Sequence, residues 1–198
     1  MTGISLMQQA LGADWTRLPP ALKAHYQFAD NRDEGTLDIQ YPGYLQPYLN
    51  LLRLLGALIN RCGQGLPTQV EKRMAGGIQH WRRTIRFPDG REVQFRSHWV
   101  PAGGNALIEY VNPLLGLRME VWLEEDRLQY RSRGYVLRLG PVQFPLPEWL
   151  GPGSVRIEEW ALDEDRFAMD FRLHHPLLGE IYCYAGEFRA GTASQSVI

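Results

Sequence analysis

One corner occurs twice in this chain. Glu109-Tyr110-Val111-Asn112-Pro113-Leu114-Leu115-Gly116-Leu117 is echoed by Arg172-Leu173-His174-His175-Pro176-Leu177-Leu178-Gly179-Glu180. In each copy an apolar-rich segment runs into Pro-Leu-Leu-Gly, and a second alternating segment leaves it. Proline cannot donate to a sheet ladder, and glycine accepts the positive φ that a tight corner often needs. The pattern predicts β-hairpins, and hence an antiparallel β protein. It names no reaction.

The 198 residues read as a single domain, with no Ser/Gly/Pro-rich linker to split them. Its expected parts are a helical stretch over 1–62 with one short strand, a first set of hairpins over 67–139 and a proline-rich crossing segment over 140–153. A second set of hairpins over 154–189 and a flexible tail over 190–198 complete it. A net charge of −1 argues against a general nucleic-acid binder. Two cysteines, Cys62 and Cys183, suit a reduced, cytoplasmic protein better than a disulfide scaffold. The first residues lack the basic start and uninterrupted apolar core of a signal peptide.

Tyr44 to Cys62 is nearly all apolar, but Asn50 and Arg53 interrupt it. A membrane span needs about 20 predominantly apolar residues, so none is expected here. Pro47 suits an early helical turn and Gly63 a stop. The segment is therefore expected to be a long apolar helix enclosed by a curved sheet. Leu51, Leu52, Leu55 and Leu58 should be buried in it. Gln46, Asn50, Arg53 and Asn60 fall near one polar stripe.

Ahead of it, Trp15, Leu18, Leu22 and Tyr26 recur at helical spacing, and Pro19-Pro20 can open a second short helix. Asn31 to Gly35 reads as a turn into a strand over 36–41. Beyond Pro67 the apolar period changes to two. With Pro88 to Glu92 as a turn, Phe87 pairs with Val93, Ile85 with Phe95, Arg83 with Ser97, and Trp81 with Trp99. Ala102-Gly103-Gly104 then sets Trp99 against Leu107 and Glu109 against Ser97. Past the first corner, Met119 falls opposite Glu109 and Val121 opposite Leu107. The turn at Glu125-Asp126 matches Leu123 with Leu128 and Val121 with Tyr130. It also places Glu120 opposite Arg131 and Glu124 opposite Arg127, two favourable cross-strand charge pairs. A one-residue slip would mix apolar and polar faces, which is what specifies the register.

This arithmetic puts Arg83, Ser97 and Glu109 side by side on an otherwise apolar face. Buried charges need partners. The trio is either a structural ion pair near a barrel mouth or the polar anchor of a ligand in an apolar cup. The cup's candidate lining is Trp81, Arg83, Ile85, Phe95, Ser97, Trp99, Glu109, Met119 and, from the second half, Glu159. In that half, Val155, Ile157, Glu159 and Ala161 alternate on one strand and Phe167, Met169, Phe171 and Leu173 on the next. Carrying over the first register sets Leu173 against Ile181 and Phe171 against Cys183. Between the halves, Pro141, Pro145 and Pro147 forbid a central strand, so an ordered edge covering or a lid is expected there.

The order Leu11-Gly12, Trp15, Leu18-Pro19-Pro20, then Trp81-Arg82-Arg83, Leu139-Gly140, Phe144-Pro145-Leu146-Pro147 and His175-Pro176-Leu177-Leu178-Gly179 with Tyr184-Ala185-Gly186 resembles the bacterial family called domain of unknown function 4166. The resemblance spans nearly the whole chain. That family's domain stands alone or beside dehydrogenase-like Rossmann modules. The resemblance thus implies an accessory or substrate-handling role and an oxidoreductase partner. It assigns no catalytic residue.

Enzyme signatures are sparse. The sequence has no G-x-G-x-x-G after a strand, no Walker loop and no H-E-x-x-H. Adjacent His174 and His175 would point to opposite faces of a strand and could not share a metal. The expectation is an α+β protein without a cofactor or metal. Its antiparallel sheet, of about 8–10 strands, is curved, partly closed and barrel-like, around the apolar helix and with short N-terminal helices. A non-catalytic binding or accessory module for a small lipid-like or aromatic molecule is the leading function. The alternatives are an enzyme using Glu109 or Glu159 as general base with Arg83 as anion stabiliser, and a protein-interaction module with a filled core.

Overall fold

The computed structural model describes residues 3–28, 30–76 and 78–191; residues 192–198 of the expected tail lie outside them. The strands are β1 (Asn31–Gln40), β2 (Gly63–Ala75), β3 (Ile78–Arg86), β4 (Glu92–Pro101), β5 (Ala106–Tyr110) and β6 (Leu115–Glu124). They continue as β7 (Arg127–Leu139), β8 (Val142–Leu146), β9 (Ser154–Ala161), β10 (Arg166–His175) and β11 (Gly179–Arg189). All pairings are antiparallel. Each of ten strands pairs with the next, omitting β8, and β11 returns to β1, so the sheet closes into a ten-stranded barrel. β8 pairs only with the far half of β7, beyond Gly134, whose φ is +103°. It is the edge element that the prolines allow.

Among the described residues three short α-helices accompany the barrel. α1 (Leu6–Leu11) is capped by the Ser5 hydroxyl, which accepts from the Gln8 amide at 3.1 Å. α2 (Pro20–Tyr26) begins at the second proline of the pair. Both close one end of the barrel, burying Leu6, Met7, Leu11, Leu22 and Tyr26. α3 (Gln46–Leu54) lies at the opposite end, between β1 and β2. Leu49 and Leu52 are buried.

The sheet does not enclose α3. The helix ends at Leu54 because Gly56 takes φ +75°, and the Gly56 and Ala57 amides turn back to the Arg53 and Leu52 carbonyls. Leu51, Leu54 and Leu55 are exposed at 55%, 85% and 47%, against the enclosed helix expected over Tyr44–Cys62. The polar stripe is real and has a local purpose. Gln46 Nε2 donates to Asn50 Oδ1 and the Asn60 carbonyl, while Asn60 Nδ2 donates to Asn50 Oδ1. These bonds fold the segment after α3 back along the helix. Arg53 donates to the Gln94 carbonyl and Asn112 to that of Leu55, fixing α3 to the rim.

Three registers differ from expectation by two residues. Phe87 and Arg91 close the first turn, so Arg83 pairs with Phe95, and Trp81 with Ser97. Ala102 bonds to Ala106, which sets Trp99 against Glu109. Asn112 Oδ1 accepts from the Leu114 and Leu115 amides, and Glu109 then pairs with Leu117 and Leu107 with Met119. The first turn is two residues shorter than the face-matching argument assumed, and in the other two a turn of the same length sits one residue away along the chain. A two-residue step preserves the faces, so Trp81 and Trp99 still meet diagonally at 5.3 Å between ring centres. β6 and β7 pair as expected from Glu120–Arg131 to Glu124–Arg127, although the Glu120 carboxylate binds Arg133 at 2.7 Å.

Both copies of the repeated corner join antiparallel neighbours, as expected, but their glycines do different work. Gly116 lies within β6, where a Cβ would crowd Ile108 and Tyr110, whereas Gly179 turns the chain at φ +73°. A bulge at Leu173/His174 shifts the second copy by one, so Phe171 pairs with Tyr184, and Leu173 with Tyr182. Cys183 is therefore opposite Arg172, not beside Phe171 as expected. β1 also starts at Asn31, within the expected turn.

Leu49→Ala should cost about 2–5 kcal/mol, as buried leucine truncations do. Leu54→Ala should change stability by less than about 0.5 kcal/mol. Urea denaturation of both variants checks the contrast.

Candidate functional site

The barrel interior holds two cavities with Arg83, Glu109 and Tyr184 in the wall of both. The outer one lies toward α3, between Ile85, Phe95, Val111, Leu117, Phe171 and Tyr182, with Ala57–Ile59 at its rim. Its atom-free space is about 820 Å³, which includes crevices and the open mouth. The room it offers a guest is about 80 Å³. It corresponds to several waters or one slender molecule, given ~10–15 Å³ for a single water. The inner cavity, toward α2, measures about 30 Å³ on the same scale and contains Tyr26, Trp81, Trp99, Tyr130 and Glu159 in its wall.

Alternation on β3 points Trp81, Arg83 and Ile85 inward. Arg83 Nη1 donates to Glu109 Oε1 across 3.4 Å, a long contact for a charge-assisted bond. The same oxygen accepts from Ser97 Oγ at 2.6 Å. Among the described residues the guanidinium makes no other hydrogen bond, and Glu109 Oε2 makes none. The Arg83 side chain retains 15% exposure although protein surrounds it, because that surface opens into the cavities. The guanidinium carbon stands 5.5 Å from the Phe95 ring centre and 5.8 Å from that of Trp81. Burial opposes the charge on Arg83, but Glu109 outweighs that penalty and its pKa lies above the ordinary value.

The inner cavity is organised by Glu159 on β9. Tyr26 donates to its carboxylate, 2.7 Å from Oε2, and the Tyr130 hydroxyl lies 2.6 Å from that of Tyr26. Burial pushes the Glu159 carboxyl up; His25, Tyr26 and Arg83 pull it down without cancelling the effect. Burial, reinforced by Glu159, raises both tyrosines well above 10. Tyr184 is pushed up to about 12, again mainly by burial. All three phenols therefore stay neutral near pH 7. Next to this group, His25 Nδ1 sits 2.5 Å from the buried Asp33, which also accepts from the Gly191 amide at 2.8 Å. The indole nitrogens of Trp81 and Trp99 are buried with no partner among the described residues.

The nine candidates divide. Arg83, Ile85, Phe95 and Glu109 border the outer cavity; Trp81, Arg83, Trp99, Glu109 and Glu159 border the inner one. Ser97 supports Glu109 from behind, and Met119 is fully buried away from both cavities. Sequence reasoning missed Tyr26, Tyr130 and Tyr184. Tyr26 lay on the apolar stripe of α2, where a tyrosine needs a hydroxyl partner. Tyr184 was hidden by the bulge. Among the described residues no group of three potential ligands could hold a metal, and no helix is long and apolar enough to cross a membrane.

The family model "Domain of unknown function (DUF4166)" matches residues 18–188. The chain belongs to that family. No curated protein matches it significantly. Among solved structures, the DUF4166 chain is similar to a secretary abundant heat soluble (SAHS) protein from Ramazzottius varieornatus, at 10% identity. The match covers 81% of this chain and 93% of that one, with a TM-score of 0.33. An isomerase-inactive variant of GphF DH1 is also 10% identical, over 98% of this chain and 83% of that one, with a TM-score of 0.23. Scores this low assign no function to the DUF4166 chain.

A carboxyl with a raised folded pKa binds its proton more tightly in the native than in the unfolded state. The contribution of Glu159 is thus full at low pH and is lost as pH rises from its usual 4.5 through the folded pKa. Glu159→Gln should remove a downward slope of at most about 1.4 kcal/mol per pH unit in that window. Denaturant titrations of both proteins at stepped pH read it.

Proposed function

We propose that the protein is a non-catalytic binding or accessory module, and that its outer cavity takes one small lipid-like or aromatic molecule. The observation that carries this reading is an apolar cavity, open at the α3 end, with one guanidinium in its wall that is mostly without partners. Filled interiors leave few voids larger than a water. This interior keeps two, and the larger stays open because α3 covers the rim instead of entering the barrel. That favours binding over the filled interaction module. An enzyme would need a reacting group placed for chemistry; Glu159 is instead held between two tyrosines and Glu109 by Ser97.

In this reading the apolar body lies against Phe95, Val111 and Phe171, and the polar end reaches Arg83. Native mass spectrometry of gently purified protein should find a co-purifying small molecule. Tryptophan fluorescence should respond to alkyl and naphthalene probes, since Trp81 stands beside Arg83. Absence of both signals up to the probes' solubility limits overturns the proposal. A double variant, Arg83→Met with Glu109→Gln, avoids leaving a buried charge alone. It should stay folded and bind polar-ended probes about 10–100-fold more weakly, the loss expected for hydrogen bonds to a charged group.

A further inference from the structure

Resting on the binding reading above, we infer that the site selects an uncharged head group offering both a donor and an acceptor, such as a carboxamide or hydroxyl, and that Glu109 sets this selectivity by rejecting carboxylates. An unaccompanied arginine at the end of an apolar cavity would favour an anion. Arg83 is not unaccompanied. Glu109 faces it at 3.4 Å and borders the same two cavities. The local charge is already balanced before any ligand enters.

The remaining groups do not tip the balance toward anions. Glu159 lies behind the same wall, where its charge would add to the negative side, and Tyr184 is neutral. At the cavity wall the Arg83 guanidinium faces the Glu109 carboxyl group, and burial discourages Glu159 beyond it from ionising. A ligand carboxylate next to Arg83 would also stand next to Glu109, in surroundings that screen poorly. It would have to leave water to do so.

A neutral two-sided head avoids that conflict and uses what the pair leaves open. The guanidinium has five N–H donors in a fixed fork, of which one is engaged, over a long distance. Glu109 Oε1 is shared by Arg83 and Ser97, while Oε2 has no partner among the described residues. A carboxamide would present its carbonyl to the fork and its N–H to Oε2. Ser97 holds the carboxylate in place from the far side at 2.6 Å, so Glu109 is preset to accept.

Isothermal titration of the full chain with octanamide, 1-octanol and octanoate at neutral pH tests this. The expected result is at least tenfold tighter binding of octanamide than of octanoate, with octanol nearer the amide. Because a carboxylate is costlier to desolvate anywhere, the deciding measurement is the ratio in Glu109→Gln. That variant keeps the side chain's shape and removes its charge. It should tighten octanoate by about tenfold or more and reverse the order. Octanoate equal to or tighter than octanamide in the unaltered protein overturns the inference while leaving the binding reading intact. An unchanged ratio in Glu109→Gln overturns it too. Binding of none of the three probes counts against the binding reading itself. If Glu109→Gln, which leaves Arg83 without its counter-charge, fails to fold alone, refolding it with octanoate or octanamide gives the comparison: rescue by octanoate in preference to octanamide is expected, and rescue by octanamide alone or by neither overturns the inference.

Discussion

β1 and β11, separated by most of the chain, pair from Glu34–Arg189 to Gln40–Cys183. This seam turns a meander of hairpins into a ring, and the rest of the structure depends on it. Closure removes the unpaired edges that an open sheet would expose. It also demands close approach of two backbones. A Cβ on Gly35 would collide with the Glu187 carbonyl, and one on Gly186 with that of Thr36. Two glycines facing each other's strands thus let the ring close. Once it is closed, every inward side chain must find its partners inside.

That requirement explains the layout of the interior. The α2 end is densely aromatic: Tyr26, Trp81, Trp99 and Phe167 crowd around His25 and Glu159. The α3 end mixes aliphatic side chains with Phe95, Phe171, Tyr182 and Tyr184 and is left partly empty. Between them sit the charged side chains. An ion pair deep in such a ring is weak evidence of added stability, because well-packed apolar residues often do as well or better. The 3.4 Å separation of Arg83 and Glu109 is far from the bidentate geometry that best offsets desolvation. A pair optimised only for holding the barrel together would engage more of its donors.

Much of this architecture was legible in the alternation. Period-two patterning placed Trp81, Arg83, Ile85, Trp99 and Glu109 on the inner face, and the charge pairs fixed β6 against β7. What the pattern could not show was where along the chain each turn closes. Shifting a hairpin by two residues leaves both faces unchanged, so the register of β3, β4 and β5 rested on turn geometry alone. The bulge at Leu173/His174 was invisible for a related reason, since one extra residue swaps Cys183 for Tyr184 without a compositional mark. The α3 segment misled in another way. Its leucines read as core because they are leucines, but Gly56 cuts the helix before it is long enough to fill a barrel.

That same cut keeps the interior available. Had the helix continued to Cys62 inside the sheet, its leucines would have taken the space that Ala57, Leu58 and Ile59 now only border. The chain instead turns at Gly56, and Gln46, Asn50 and Asn60 tie the following residues along the outside of the helix. Leu54 and Leu55 are left in solvent as a consequence, an exposure that folding alone does not favour. The cavity and the exposed leucines are therefore two results of one local event. At its inner end the cavity meets Arg83 and Glu109, so an apolar shaft leads to a floor where one guanidinium and one carboxylate face each other.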